Sequence, residues 1–180
     1  MKQKHLSSTI LYYSLFLIAL LGLRFYVFSP VTAVGESMSP TLQNGQKMIG
    51  LKNGRIKHFD IVSFSAPDQP ETTYVKRVIG LPGDSISYKD DALYINGIKQ
   101  QEPYLTENKA QLPDDQLLTP DFTLQSLLAI EEIPEGKVFV LGDNRGNSKD
   151  SLTFGLIDEA SILTRIAFSL WPIEKIGFAE

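Results

Sequence analysis

The chain of 180 residues contains no cysteine. It therefore has no disulfide, no thiol nucleophile and no Cys-ligated zinc or iron–sulfur cluster. Histidine is nearly absent, with only His5 and His58. A multi-histidine metal site is excluded, and a Ser-His-Asp triad would depend on His58 alone. We accordingly expect neither a metal nor another cofactor.

Positive charge is also in short supply, because 17 Lys and Arg against 21 Asp and Glu give a net charge of −4. The balance is uneven along the chain. Residues 1–28 contain three basic residues and no acidic one, so 14 of the 17 basic residues and all 21 acidic residues fall in 29–180. Nucleic-acid binding needs a basic face that replaces phosphate counterions. We therefore expect no nucleic-acid partner.

Residues 9–28 are predicted to form a transmembrane anchor in the lipid bilayer. They read TILYYSLFLIALLGLRFYVF, with Arg24 as the only charge, and about twenty apolar residues are needed for a helix to cross a bilayer. Lys2 and Lys4 precede this segment, which by the positive-inside tendency places 1–8 in the cytoplasm and 29–180 outside the cell membrane.

A cleaved signal peptide is the alternative for this segment. Both share a basic start and an apolar core, and residues 31–33 (VTA) resemble a small-residue cleavage site. The apolar run is longer than an ordinary signal-peptide core and ends in bulky residues at 25–28. We therefore favour an uncleaved, single-pass anchor.

The remainder, 29–180, is predicted to be one mostly β domain, a barrel or folded sheet. Short runs rich in Val, Ile, Tyr, Phe and Thr alternate with Gly, Pro, Asn and Asp, and Asn96-Gly97 is a strong two-residue hairpin signal. Residues 102–132 hold seven acidic residues and one basic residue. We interpret them as an excursion with a short helix, and assign them no chemistry. The predicted strands are 48–51, 61–65, 72–79, 85–89, 92–95, 98–101, 138–141 and 162–170.

Lys76 and Arg77 interrupt the apolar strand at 72–79. Successive side chains of a strand point to opposite faces, so one cation must share a face with apolar neighbours unless both reach solvent from an edge strand. An ammonium held among apolar groups loses hydration, its pKa falls, and the neutral amine becomes a general base.

A nearby serine would complete a Ser-Lys dyad, in which lysine replaces histidine. Ser37 is the candidate, because Gly35 permits close backbone approach and Pro40 stiffens the following turn. Taken alone, the same stretch is equally compatible with a turn whose hydroxyls bond to the backbone.

Three segments together resemble the signature boxes of type I signal peptidases, and in the same order. They are 37–42 (SMSPTL), 74–84 (YVKRVIGLPGD) and 142–151 (GDNRGNSKDS). The single anchor and short length resemble the Gram-positive members. The resemblance implies a membrane-bound serine endopeptidase that removes signal peptides from secreted precursor proteins.

The resemblance also implies roles for individual residues. Ser37 is the expected nucleophile, with its N–H in the oxyanion hole, and Lys76 is the expected general base. Ser148 falls where a hydroxyl orients the lysine amine, and Asp150 where a carboxylate supports the site. Gly35 occupies a position at which some members carry an additional serine hydroxyl for the oxyanion.

Cleavage is expected after small-x-small sequences such as Ala-x-Ala. Five apolar or aromatic positions match those that line the shallow substrate pockets of the family. They are Val34, Met38, Leu42, Tyr74 and Val75.

One position departs from the family pattern. The third box usually continues Asp-Ser-Arg, whereas this chain has Leu152 after Asp150 and Ser151. Asp150 then lacks an arginine partner or pairs with Arg145 instead. We expect weaker support for the lysine rather than inactivity, and an equal or higher activity when arginine is restored at 152.

Leu152 also favours an alternative of a different class. In this reading the chain is a signal-peptidase-like assembly or chaperone factor for a surface structure such as a pilus, with weak or dedicated peptidase activity. Its partners would then include surface-assembly proteins. Full cellular function of variants lacking Ser37 or Lys76 would favour that alternative.

Overall fold

The computed structural model describes residues 2–113 and 115–179, with side chains described from Thr9 onward. The chain begins with helix α1 (Lys2–Tyr26). Its window Thr9–Tyr26 has a mean hydropathy of 1.6, and none of it is buried against the rest of the chain. By length and composition this helix suits a membrane crossing. It ends two residues before the predicted boundary at 28.

After α1 the chain is mostly β, which confirms the predicted class. Twelve strands form two antiparallel sheets in the described residues. The strands are β1 (Phe28–Thr32), β2 (Lys47–Leu51), β3 (Ile61–Ser65), β4 (Thr73–Gly80), β5 (Ile86–Lys89), β6 (Ala92–Ile95), β7 (Ile98–Lys99), β8 (Phe122–Thr123), β9 (Lys137–Leu141), β10 (Ile157–Asp158), β11 (Ile162–Trp171) and β12 (Gly177–Phe178).

The larger sheet has the order β1-β2-β11-β3-β4-β9-β10, with β12 added to β11, and the smaller sheet has the order β7-β6-β5-β8. β4 is therefore an interior strand, so its two cations cannot both reach solvent from a free edge. Asn96 and Gly97 have φ of 53° and 76°, and Ile95 pairs with Ile98 across them. This is the predicted hairpin.

Four strands were not predicted: β1, β8, β10 and β12. Three of them have only two residues, too few for an alternating pattern to register. β1 (FSPVT) directly follows the apolar helix, so its apolar residues read as a continuation of the helical run. Pro30 lies inside β1 at the edge of the sheet, which is where proline is tolerated in strands.

The predicted excursion at 102–132 contains two short helices, α2 (Thr106–Ala110) and α3 (Leu124–Leu128), together with β8. A further short helix, α4 (Ser151–Phe154), follows the third signature box. One core cluster joins the two sheets, with Ile79, Tyr88, Leu93, Phe139 and Leu141 among its members. A second cluster, which includes Met38, Leu42 and Val75, lies beneath the turn that carries Ser37.

Candidate active site

Ser37 lies in the tight turn after β1. Gly35 has φ of 84°, a left-handed conformation that glycine adopts without a Cβ clash. Gly35 N–H donates to Asn44 Oδ1 at 3.1 Å, which closes the turn against the approach to β2. Within the described chain, Ser37 N–H donates to no backbone carbonyl.

Lys76 lies on β4 directly opposite this turn and is only 4% exposed. Its Nζ donates to Ser37 Oγ at 2.5 Å. Burial lowers the pKa of Lys76 from 10.5 to about 8, although the charges of Asp150 and Asp143 oppose the shift. Lys76 is therefore a buried cation on this strand, and burial places the pKa of its amine well below that of an ordinary lysine.

Arg77 is buried on the other face of β4, at 1% exposure. Its Nε and Nη2 donate to the two oxygens of Asp143 at 2.9 and 2.7 Å, the bidentate geometry of a strong charge-assisted pair. Asp143 Oδ2 also accepts from Thr41 Oγ1 at 2.6 Å. The third signature box is thus fastened both to the lysine strand and to the serine turn.

The backbone around Ser37 is held by the residue after Asp143. Asn144 N–H donates to the Ser37 carbonyl at 3.0 Å, and Asn144 Nδ2 donates to the Glu36 carbonyl at 3.0 Å. The two segments approach so closely at Gly142 that a Cβ there would lie 2.5 Å from the Ser37 carbonyl and 2.2 Å from Ser148 Oγ. The glycine is needed for this contact.

Asp150 is 1% exposed and accepts two backbone hydrogen bonds. Its Oδ2 accepts from Gly142 N–H at 2.9 Å and its Oδ1 from Leu152 N–H at 3.2 Å. The carboxylate is therefore satisfied without an arginine. Arg145, considered from the sequence as its partner, does not pair with it.

Arg145 instead pairs with Glu102 at the start of the excursion, at 2.8 Å. Its Nη1 also donates to Tyr88 and Thr119, and its Nε to the Gly142 carbonyl at 3.0 Å. This buried network links the third box to the excursion and stabilises its position. Glu102 and Thr119 lie 43 and 26 residues from Arg145, a separation at which no sequence pattern identifies a partner.

Ser148 lies beside Gly142, but its Oγ makes no hydrogen bond to any of the described residues although it is buried. The predicted hydrogen bond to the lysine amine is therefore not formed in this conformation. The absence of a side chain at Gly142 leaves room for the hydroxyl close to the Ser37 backbone.

A cleft of about 170 Å³ opens beside Ser37 and Lys76. Four of the five predicted substrate-pocket positions line it: Val34, Met38, Tyr74 and Val75. Leu42 is not among the residues that line the cleft; it packs beside Met38 in the core cluster beneath.

The sequence analysis did not single out Thr73 and Lys149, which also line the cleft. Both are immediate neighbours of predicted site residues, a signal that could have indicated them. Lys149 Nζ pairs with Asp68 at 2.5 Å across the outer edge. His58 lies elsewhere, paired with Asp84 at 2.6 Å, so no histidine whose side chain is described lies in the cleft.

A serine hydroxyl bonded to a buried lysine amine of lowered pKa, in a cleft of a β fold, defines a hydrolase of the Ser-Lys class. The family model described as signal peptidase, peptidase S26, matches residues 6–171. The chain belongs to this family and is a serine endopeptidase.

Similar proteins agree with that assignment. Signal peptidase I of Bacillus caldolyticus is 46% identical over 160 residues, covering 87% of this chain and 86% of the relative. Signal peptidase IB of Staphylococcus aureus (strain MRSA252) is 43% identical over 161 residues, covering 85% and 83%.

A crystal structure of a signal peptidase I from Enterococcus faecalis V583 matches with a TM-score of 0.60 and 42% identity, covering 62% of this chain and 97% of that one. None of these comparisons supports the alternative of an assembly or chaperone factor.

Proposed function

We propose that this chain removes signal peptides from secreted precursor proteins by cleaving after small-x-small sequences, with Ser37 and Lys76 as the catalytic pair. The observation that carries the proposal is the 2.5 Å hydrogen bond between Lys76 Nζ and Ser37 Oγ. A lysine whose pKa is about 8 is neutral in about a tenth of molecules at pH 7, against fewer than about one in a thousand for an ordinary lysine, and a neutral amine accepts a proton.

In the first step, Ser37 Oγ attacks the carbonyl carbon of the scissile bond while Lys76 Nζ takes the hydroxyl proton. The C–N bond then breaks, and Lys76 returns that proton to the leaving amine. This gives an acyl-enzyme on Ser37. Lys76 next takes a proton from water, whose oxygen attacks the acyl carbon, and the proton returns to Ser37 Oγ as the ester bond breaks.

The oxyanion of each tetrahedral intermediate would be stabilised by Ser37 N–H. Removing one oxyanion donor of this kind costs about 3 kcal/mol in comparable sites. Gly35 offers no side-chain donor at the position where some family members have a serine, so the backbone donor carries this role here. The same glycine permits the turn that exposes Ser37.

Ser148 and Asp150 would support the lysine. Asp150 places a negative charge near the amine, which limits the lowering of the Lys76 pKa by burial. The Ser148 hydroxyl, unbonded among described residues, is available to orient the amine once substrate fills the cleft. Both are positioning residues in this mechanism.

The shallow cleft fits small substrate side chains. Val34, Met38, Tyr74 and Val75 present apolar or aromatic walls around about 170 Å³, which suits the methyl groups of an Ala-x-Ala sequence. Leu42 would act from below, because it shares a core cluster with Met38 and Val75.

Helix α1 would anchor the enzyme in the cell membrane as a single pass. Residues 1–8 would lie in the cytoplasm and 29–180 outside, in agreement with Lys2 and Lys4 at the start. Anchoring confines enzyme and precursor to one thin layer, which raises their effective concentration. The lipid bilayer is thus a partner of this chain in the proposal.

The test is cleavage of a purified precursor with an Ala-x-Ala site by the full chain in detergent. Ser37→Ala and Lys76→Met should each lower kcat at least about 10³-fold, the loss typical for a nucleophile or its base. Ser39→Ala is the matched control, since it removes a hydroxyl from the same turn and should retain activity. Cleavage by Ser37→Ala at the wild-type rate would refute the proposal.

A further inference from the structure

The excursion at 102–132, to which the sequence analysis assigned no chemistry, contacts the segments around the active site through polar side chains. Glu102 and Thr119 bind Arg145 of the third box from behind. Asn108, on the short helix α2, reaches further forward. It contacts both segments that carry the serine chemistry.

Asn108 Nδ2 donates two hydrogen bonds. One goes to the carbonyl of Ser39, two residues after the nucleophile, at 3.2 Å, and the other to the carbonyl of Asp143 at 2.7 Å. Both acceptors are carbonyl oxygens, so the amide must present its NH2 group to them. Asn108 thereby bridges the serine turn and the third box.

The other ties between these segments lie on the third box itself. Asn144 holds the carbonyls of Ser37 and Glu36, and the Asp143 carboxylate holds the Thr41 hydroxyl. Asn108, in contrast, belongs to neither the serine turn nor the third box, and its hydrogen bonds connect the two. It links the far side of the turn, two residues after Ser37, to the loop.

We propose that Asn108 is a positioning residue of the nucleophile, whose amide sets the Ser37 turn against the third box. This inference rests on the proposed function, with Ser37 as nucleophile. A displacement of about 1 Å at a reacting group typically costs about 100-fold in rate. Loss of the bridge should therefore lower kcat without disturbing how the cleft binds substrate.

Asn108→Asp tests the bridge most sharply, because it keeps the size of the side chain but places carboxylate oxygens against two carbonyls. We expect it and Asn108→Ala to lower kcat by about 10- to 100-fold while KM stays within about twofold. In Asn108→Ala, which adds no charge, the pH midpoint of kcat/KM should stay near the Lys76 pKa, since the burial of the amine and its two carboxylate neighbours are unchanged. Asn108→Gln, which keeps the donor, should recover part of the rate.

Glu107→Gln is the matched control, because Glu107 is an exposed neighbour on the same short helix. It should leave kcat and KM unchanged. Thermal unfolding of each variant shows what fraction is folded at the assay temperature. A loss of kcat that merely follows the unfolded fraction, or an Asn108→Asp enzyme with wild-type kcat, would overturn the inference.

A second measurement does not depend on catalysis. Amide hydrogen exchange over 37–42 should be faster in Asn108→Asp than in Glu107→Gln, because the turn has lost a tie. Equal exchange in the two variants would contradict the positioning role. Failure of the proposed function is recognised separately, by a wild-type enzyme that does not cleave the precursor or by an active Ser37→Ala enzyme.

Discussion

The protonated form of Lys76, which dominates at neutral pH, destabilises the folded state. A pKa that falls from 10.5 in the unfolded chain to about 8 corresponds to about 3 kcal/mol. Between these two values the unfolded chain binds more protons, so stability rises with pH. The destabilisation is complete below pH 8 and disappears as the pH rises through 10.5. The same burial makes the amine a usable base.

The activity of the wild-type chain should therefore rise with pH. Only the neutral amine accepts the Ser37 proton, so kcat/KM should increase about tenfold per pH unit at low pH and level off above a midpoint near the Lys76 pKa of about 8. The measurement is the initial rate of precursor cleavage between pH 5 and 10, at a precursor concentration well below KM. A rate that falls with rising pH across this midpoint would argue against lysine as the base.

The backbone hydrogen bonds of Asp150 explain why leucine at position 152, in place of the usual arginine, is compatible with an active site. Both carboxylate oxygens already accept backbone hydrogen bonds, and the Leu152 side chain packs against the core cluster that joins the sheets. From the sequence alone Asp150 has no recognisable partner, because the sequence shows which charged side chains are present but not which backbone N–H groups lie near the carboxylate. The backbone donors that replace the partner appear only in the folded chain.

Leu152→Arg should leave kcat equal to or higher than that of the wild type. It should also lower the free energy of unfolding by about 1 kcal/mol, because a half-buried apolar side chain leaves its contacts. Thr153→Arg is the control, since it adds the same charge at an exposed position. Denaturant unfolding and precursor cleavage measure the two effects. A sharp drop in kcat for fully folded Leu152→Arg would contradict this account.

At the scale of elements, the third box depends on the close approach of two backbones at Gly142. A methyl group there would meet the Ser37 carbonyl and Ser148 Oγ. Gly142→Ala should therefore push the box away from the serine turn and lower kcat/KM by at least about 100-fold.

Gly146→Ala tests whether this effect is specific. Gly146 lies in the same segment, but a Cβ there would meet nothing within 4 Å. It should keep kcat/KM within about twofold of wild type. Equal losses in both variants would show that loop flexibility, rather than the contact at Gly142, decides activity.

Strands bounded by turn residues could be predicted from the sequence, whereas the residues that support the site could not. β3 and β6 have the predicted bounds, because their apolar residues are flanked by clear turn signals. Lys76 and Ser37 were also predictable, through strand alternation and the resemblance of their segments. Asn108 and Glu102 were not, since a polar residue in an acidic excursion carries no local sign of a distant partner.

At the scale of the whole molecule, the proposed orientation of the chain across the membrane can be tested by labelling cysteines introduced one at a time, because the chain has none of its own. A single introduced cysteine has no background in this chain. In intact cells, a membrane-impermeant maleimide should label Glu131→Cys, at an exposed position, and leave Gln3→Cys unlabelled until the cells are permeabilised. Labelling of Gln3→Cys alone in intact cells would show the reverse orientation.

Only Val27 separates α1 from β1. The helix end is further tied to the residues after β2, because Lys52 Nζ donates to the Phe25 carbonyl at 2.8 Å and Asn53 Nδ2 to the Tyr26 carbonyl at 3.1 Å. β1 then extends over five residues, about 17 Å at strand spacing. With α1 in the bilayer, this short connection fixes the distance between the membrane surface and the active site. It sets the height at which Ser37 meets an emerging precursor, and hence which peptide bond comes within its reach.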